Sequence, residues 1–71
     1  MNKEKRTWYI WIQNSTTGET KCKIYKGINF GFAGRAAFVF SGEQRVKTNQ
    51  IWDIMSVNDA GFLYDPKTPI I

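Results

Sequence analysis

The apolar positions of this chain come in short bursts separated by turn-forming residues, and the first burst is the clearest. Thr7, Trp8, Tyr9, Ile10, Trp11, Ile12 and Gln13 run into Ser15, Thr16, Thr17, Gly18 and Glu19, and the chain returns as Thr20, Lys21, Cys22, Lys23, Ile24, Tyr25 and Lys26. β-Branched and aromatic residues on both sides of a Gly-bearing turn read as a β-hairpin. A type I turn across Ser15 to Gly18, with Gly18 left-handed, closes it through a loop of about three residues. Folding about Thr17 then pairs Tyr9 with Tyr25, Trp11 with Lys23 and Gln13 with Lys21 on one face, and Ile10 with Ile24 and Ile12 with Cys22 on the other. The expectation is an apolar face for a core and an aromatic, basic face for binding.

Later bursts extend the pattern. Ile28, Phe30 and Phe32 share one parity between Gly27 and Gly34, with Gly31 and Gly34 interrupting, which predicts a short strand with a bulge or a barrel-corner bend. Ala36 to Ser41 and Gln44 to Thr48 read as a second hairpin closed by Gly42 and Glu43 in a type II′ turn. Its register sets Val39 against Val46 on one face, and Phe38 against Lys47 and Phe40 against Arg45 on the other. Residues 48–60 fit two patterns. Ile51, Trp52, Ile54, Met55 and Val57 match an amphipathic helix capped by Thr48 or Asn49 and ended before Gly61. They also match a strand closed by Asn58, Asp59, Ala60 and Gly61 and leading into Phe62, Leu63 and Tyr64; scarce helix formers favour the strand. Pro66 and Pro69 end regular structure and leave Ile70 and Ile71 as a tail for a sheet edge or a partner.

These elements predict an all-β protein, a small twisted antiparallel sheet or an SH3-like or OB-like barrel built from hairpins, with at most one short helix near residues 48–60. Residues 1–6 are expected to be a flexible basic arm, 7–65 a single β domain and 66–71 a C-terminal tail.

Composition narrows the chemistry. A chain of 71 residues is one domain, and a domain of that size buries only about 60% of its unfolded surface. Such a core is usually supplemented by disulfides, a metal or a partner. Cys22 has no second cysteine to pair with, the chain has no His, and no zinc spacing is present, which leaves a partner, including a second copy of the chain. Cys22 is expected inward as a small hydrophobe. No stretch approaches the ~20 apolar residues that span a bilayer, and Met1 to Arg6 does not lead into a signal peptide, so the expected location is cytoplasmic.

The net charge of +4 favours acidic partners such as nucleic acid. Placement sharpens this: Glu19, Glu43, Asp59 and Asp65 fall in or beside expected turns, whereas Lys21, Lys23, Arg45 and Lys47 fall in expected strands. Lysine on strands also blocks edge-to-edge aggregation, so the pattern has a purely structural reading as well.

Enzymatic chemistry finds no footing. No His is available for acid–base work, the serines have no evident base, and Gly27, Gly31 and Gly34 lack the spacing of a phosphate loop, so no catalytic residue, cofactor or metal site is expected. One segment, Lys26-Gly27-Ile28-Asn29-Phe30-Gly31-Phe32, resembles a stretched form of the Lys-Gly-Phe-Gly-Phe motif of cold-shock domains, and Phe38-Val39-Phe40-Ser41 loosely resembles their second motif. The resemblance covers fewer than a quarter of the residues, with Ile28 and Asn29 inserted and the usual His missing. It implies base stacking by Phe30 and Phe32.

Three Trp, three Tyr and five Phe cannot all be exposed; Trp8, Phe30, Phe32 and Trp52 are the first expected in the core. Tyr9, Trp11, Tyr25, Phe38 and Phe40, interleaved with Lys21, Lys23, Arg45 and Lys47, form the expected site for DNA or RNA, with Lys3, Lys5 and Arg6 of the arm adding phosphate contacts. The same residues serve an alternative: a protein-binding accessory or inhibitor of the kind phages and mobile elements encode, occupying a surface of a larger host protein.

Overall fold

The computed structural model describes residues 4–59 and residue 70. Over them the chain forms β1 (Arg6–Asn14), β2 (Thr20–Gly27), α1 (Phe30–Thr48) and β3 (Trp52–Asn58). The strands make one antiparallel sheet in the order β2-β1-β3, so the first strand lies in the middle. α1 lies across one face of it. The sheet is open, with three strands rather than a closed barrel, and the helix of 19 residues is not short. The continuation expected at residues 60–64, the two prolines and Lys3 of the expected arm lie outside the described residues, whereas Arg6, the last residue of that arm, opens β1.

The β1–β2 hairpin forms where the sequence places it, but one residue out of register. Trp8 pairs with Tyr25, Ile10 with Lys23, Trp11 with Cys22 and Ile12 with Lys21. Asn14 causes the difference. Its side-chain oxygen accepts from the backbone N–H groups of Thr16 at 2.8 Å and Thr17 at 3.0 Å, and its carbonyl accepts from Gly18 N at 2.9 Å. Asn14 N donates to Glu19 O at 2.8 Å, which makes Asn14 and Glu19 the closing pair of a longer loop. Because side chains alternate faces, a one-residue slip exchanges the faces of one strand relative to the other. Lys21, Lys23 and Tyr25 therefore share a face with Ile10 and Ile12, and Cys22 and Ile24 share one with Tyr9 and Trp11.

Gly18 is left-handed as expected, with φ of 76°, and a Cβ there would meet nothing within 4 Å. The cost of Gly18→Ala is then torsional alone, and urea denaturation should show a loss of about 1 kcal/mol. An unchanged midpoint would contradict the loop geometry.

β3 takes the strand alternative for its segment. It pairs with β1 from Tyr9–Asn58 to Asn14–Trp52, and the register shifts between Trp11 and Ile12, where Met55 is the additional residue of a bulge.

Residues 30–48 overturn two expectations, the strand near Gly27–Gly34 and the second hairpin: both are replaced by α1. The Asn29 side chain caps the helix, accepting from Phe32 N at 3.1 Å. Ala33, Ala37, Phe40, Ser41 and Gln44 recur at helical spacing and form its buried stripe. At the other end Asn49, left-handed with φ of 56°, donates its N–H to Arg45 O. Arg45 and Lys47 in the last turn complement the helix dipole. The alternation of Phe38 and Phe40 resembled a strand, but the buried period spans the whole segment and is that of a helix.

Ile10, Ile12, Ala37, Phe40 and Trp52 form the core, with Tyr25, Ala36 and Val57 packed against it. Trp8 is buried too, its Nε1 donating to Gly27 O at 2.9 Å. Phe30 and Phe32, expected inside, are exposed near the start of the helix. Polar clamps fix α1 to β3: Ser41 Oγ donates to Trp52 O at 2.7 Å, and Trp52 Nε1 donates to Thr48 Oγ1 at 2.8 Å.

Candidate functional site

The nine residues expected to make one aromatic and basic face lie in several places. Lys21 turns under the helix, where its Nζ donates to Gln44 Oε1 at 2.7 Å and sits 4.7 Å from the centroid of the Trp52 ring. Lys23 Nζ lies 5.6 Å from the centroid of Phe40. Tyr25 packs on the core beside them. These β2 residues thus brace the junction of helix and sheet, and their aliphatic stems cover apolar surface while the amines stay at its margin. Tyr9 and Trp11 occupy the opposite face of the sheet, with Trp11 paired to Cys22. Phe40 is in the core, whereas Phe38, Arg45 and Lys47 are exposed on α1. Phe30 and Phe32, given a stacking role by the cold-shock resemblance, sit on a helix rather than on a strand platform.

Cys22 is fully buried, and Ile70 forms an isolated parallel bridge with it at the outer edge of β2. Burial pushes the thiol up from its ordinary pKa, against smaller lowering effects from hydrogen bonds with the Trp11 side chain and the Ile10 backbone. A buried thiol held protonated is a poor nucleophile. Among the described residues no group of three or more His, Cys, Asp or Glu is placed to hold a metal. No helix among them is long and apolar enough to cross a membrane.

What the fold does bring together is a groove between α1 and β3. Phe38, Ser41, Gly42 and Arg45 line it from the helix, and Trp52, Asp53 and Ile54 from the strand, around a volume of about 250 Å³. Phe38 and Ile54 are exposed apolar walls, and Met55 is exposed at the bulge beyond. Arg45 and Asp53, both exposed, put one charge of each sign beside them. Arg45 is held by a donation from its Nη2 to Trp52 O at 3.4 Å. Ser41 Oγ is committed to the same carbonyl.

The groove also runs along a sheet edge. Among the described residues β3 has a single neighbouring strand, β1; at the groove the Trp52 carbonyl is already taken by Ser41 and Arg45, which leaves the remaining backbone groups of that edge for a partner. Phe38 and Arg45 were among the expected site residues; Asp53, Ile54 and Met55 were not. Their signal in the sequence was three unlike residues in a row on a strand, which becomes informative only once that strand is known to be an edge.

Comparison with protein families, with curated proteins and with solved structures gave no match.

Proposed function

We propose that this protein is a non-enzymatic binding module that seats an extended segment of a partner protein in the groove between α1 and β3. The observation that carries this reading is the juxtaposition of exposed Phe38 and Ile54 with a sheet edge. An added strand would take main-chain hydrogen bonds from the edge and apolar contacts from the groove, the usual division of affinity and specificity in strand addition. The bulge at Met55 breaks the edge into short lengths, so the pairing is confined to the part beside the groove. The partner segment is accordingly short, with an apolar side chain for the groove. An accessory or inhibitor that occupies a surface of a larger protein works in this way.

A nucleic-acid reading draws support from the charge of +4 and from exposed Lys26, Arg35, Arg45 and Lys47. One experiment separates the two. Wild-type protein and the double variant Phe38→Asp, Ile54→Asp are used to recover partners from lysate of the source organism with and without nuclease treatment. The expected result is a stoichiometric protein retained by the wild type and lost with the variant, the two having similar melting temperatures. Recovery that needs intact nucleic acid, or that survives the double substitution, overturns the groove as the site.

A further inference from the structure

α1 carries a second apolar stripe, on the side opposite its buried one. Phe32, Val39 and Val46 follow one another at intervals of seven residues, and they are 45%, 62% and 85% exposed. Seven residues are close to two helical turns, so the three side chains lie along one line with a drift of about 20° per step. A helix with a single partner is polar on that side. Here the charged residues flanking the line are Arg35 and Glu43.

The spacing about Val39 is symmetric. Phe32 precedes it by seven residues and Val46 follows by seven; Arg35 precedes it by four and Glu43 follows by four. An isologous dimer requires a surface complementary to itself. If two such helices cross antiparallel with the two-fold axis at Val39, Phe32 comes level with Val46 of the second copy, and Arg35 comes level with Glu43. A parallel pairing would instead set Arg35 against Arg35 and Glu43 against Glu43.

We infer that two copies of this chain pair through the outer faces of α1, antiparallel, with the two-fold axis at Val39 and reciprocal Arg35–Glu43 contacts. Phe38 lies about 100° round the helix from Val39, so the pairing leaves the groove beside β3 open. The dimer and the groove therefore stand or fall separately.

Sedimentation equilibrium over a range of micromolar concentrations tests the inference. The wild type should approach twice the 8.2 kDa mass of one chain. Arg35→Glu alone and Glu43→Arg alone each place like charges level with one another, and each should weaken self-association by about tenfold or more. Mixing the two single variants restores opposite charges at both contacts, and should restore the dimer as a heterodimer. Circular dichroism of each variant confirms an unchanged fold, which these exposed positions permit. A wild type that stays monomeric throughout, or a dimer indifferent to the single reversals, overturns the inference. So does a mixture that associates no better than its parts.

Discussion

Phe40→Ala should leave the protein largely unfolded at 25 °C, while Phe38→Ala, two residues earlier, should be nearly silent. Phe40 is 2% exposed and packs among Ile10, Ile12, Ala37 and Trp52, whereas Phe38 is 77% exposed. Truncating a buried Phe costs about 3 to 5 kcal/mol through lost transfer energy and a residual cavity. A single core in a domain this small supplies a net stability of similar size, about 3 to 5 kcal/mol. An exposed substitution generally stays within about 0.5 kcal/mol. Urea denaturation followed by tryptophan fluorescence measures both. The pair also tests the conformation directly: two residues apart on a strand share a face, whereas on a helix they lie about 200° apart. Equal costs for the two substitutions would be incompatible with α1.

Asn14→Ala should be the costliest polar substitution, at about 1 to 3 kcal/mol. Asn14 is buried, and its side chain accepts from Thr16 N and Thr17 N while its Nδ2 donates to Gln50 Oε1 at 2.7 Å. Nearby, Ser15 N donates to Ile51 O at 2.9 Å, so the hairpin loop and the entry to β3 are tied at one point. Asn14→Asp keeps the acceptor and loses the amide donor, and it should fall between alanine and wild type. Hydrogen exchange at the Thr16 and Thr17 amides should speed up in the alanine variant more than in the aspartate one. Similar exchange in all three proteins would show that the loop holds its shape without Asn14.

The sequence was legible where the structure is local. The first hairpin, the left-handed Gly18, β3 and the burial of Trp8, Ile10, Ile12 and Trp52 all follow from patterning and turn chemistry. The hairpin register was not, because it depends on whether the Asn14 side chain or the backbone alone closes the loop, and a single residue decides which face Lys21 and Lys23 occupy. α1 was missed because its outer side carries Phe32, Phe38, Val39 and Val46, so apolar residues are found at almost every phase and the buried stripe does not stand out. Its start signal, Asn29 three residues before Phe32, was read instead as an insertion in a strand motif. The candidate groove was half visible. Phe38 and Arg45 were singled out for the right exposure on the wrong element, and Ile54 waited on a strand order that links the two ends of the described chain.

The central position of β1 has a bearing on how the protein folds. The β1–β2 hairpin is a local pairing, but the other flank of β1 waits for a distant mate, because Tyr9 pairs with Asn58 and Asn14 with Trp52. Such distant pairings raise contact order and slow the final step of folding relative to a helical bundle of equal length. Until that step β1, with Trp8, Ile10, Trp11 and Ile12, has one flank without a mate, an edge of the kind prone to intermolecular pairing. The sheet is thus completed by a long-range closure, in which the strand at the start of the described chain takes its second mate from the far end.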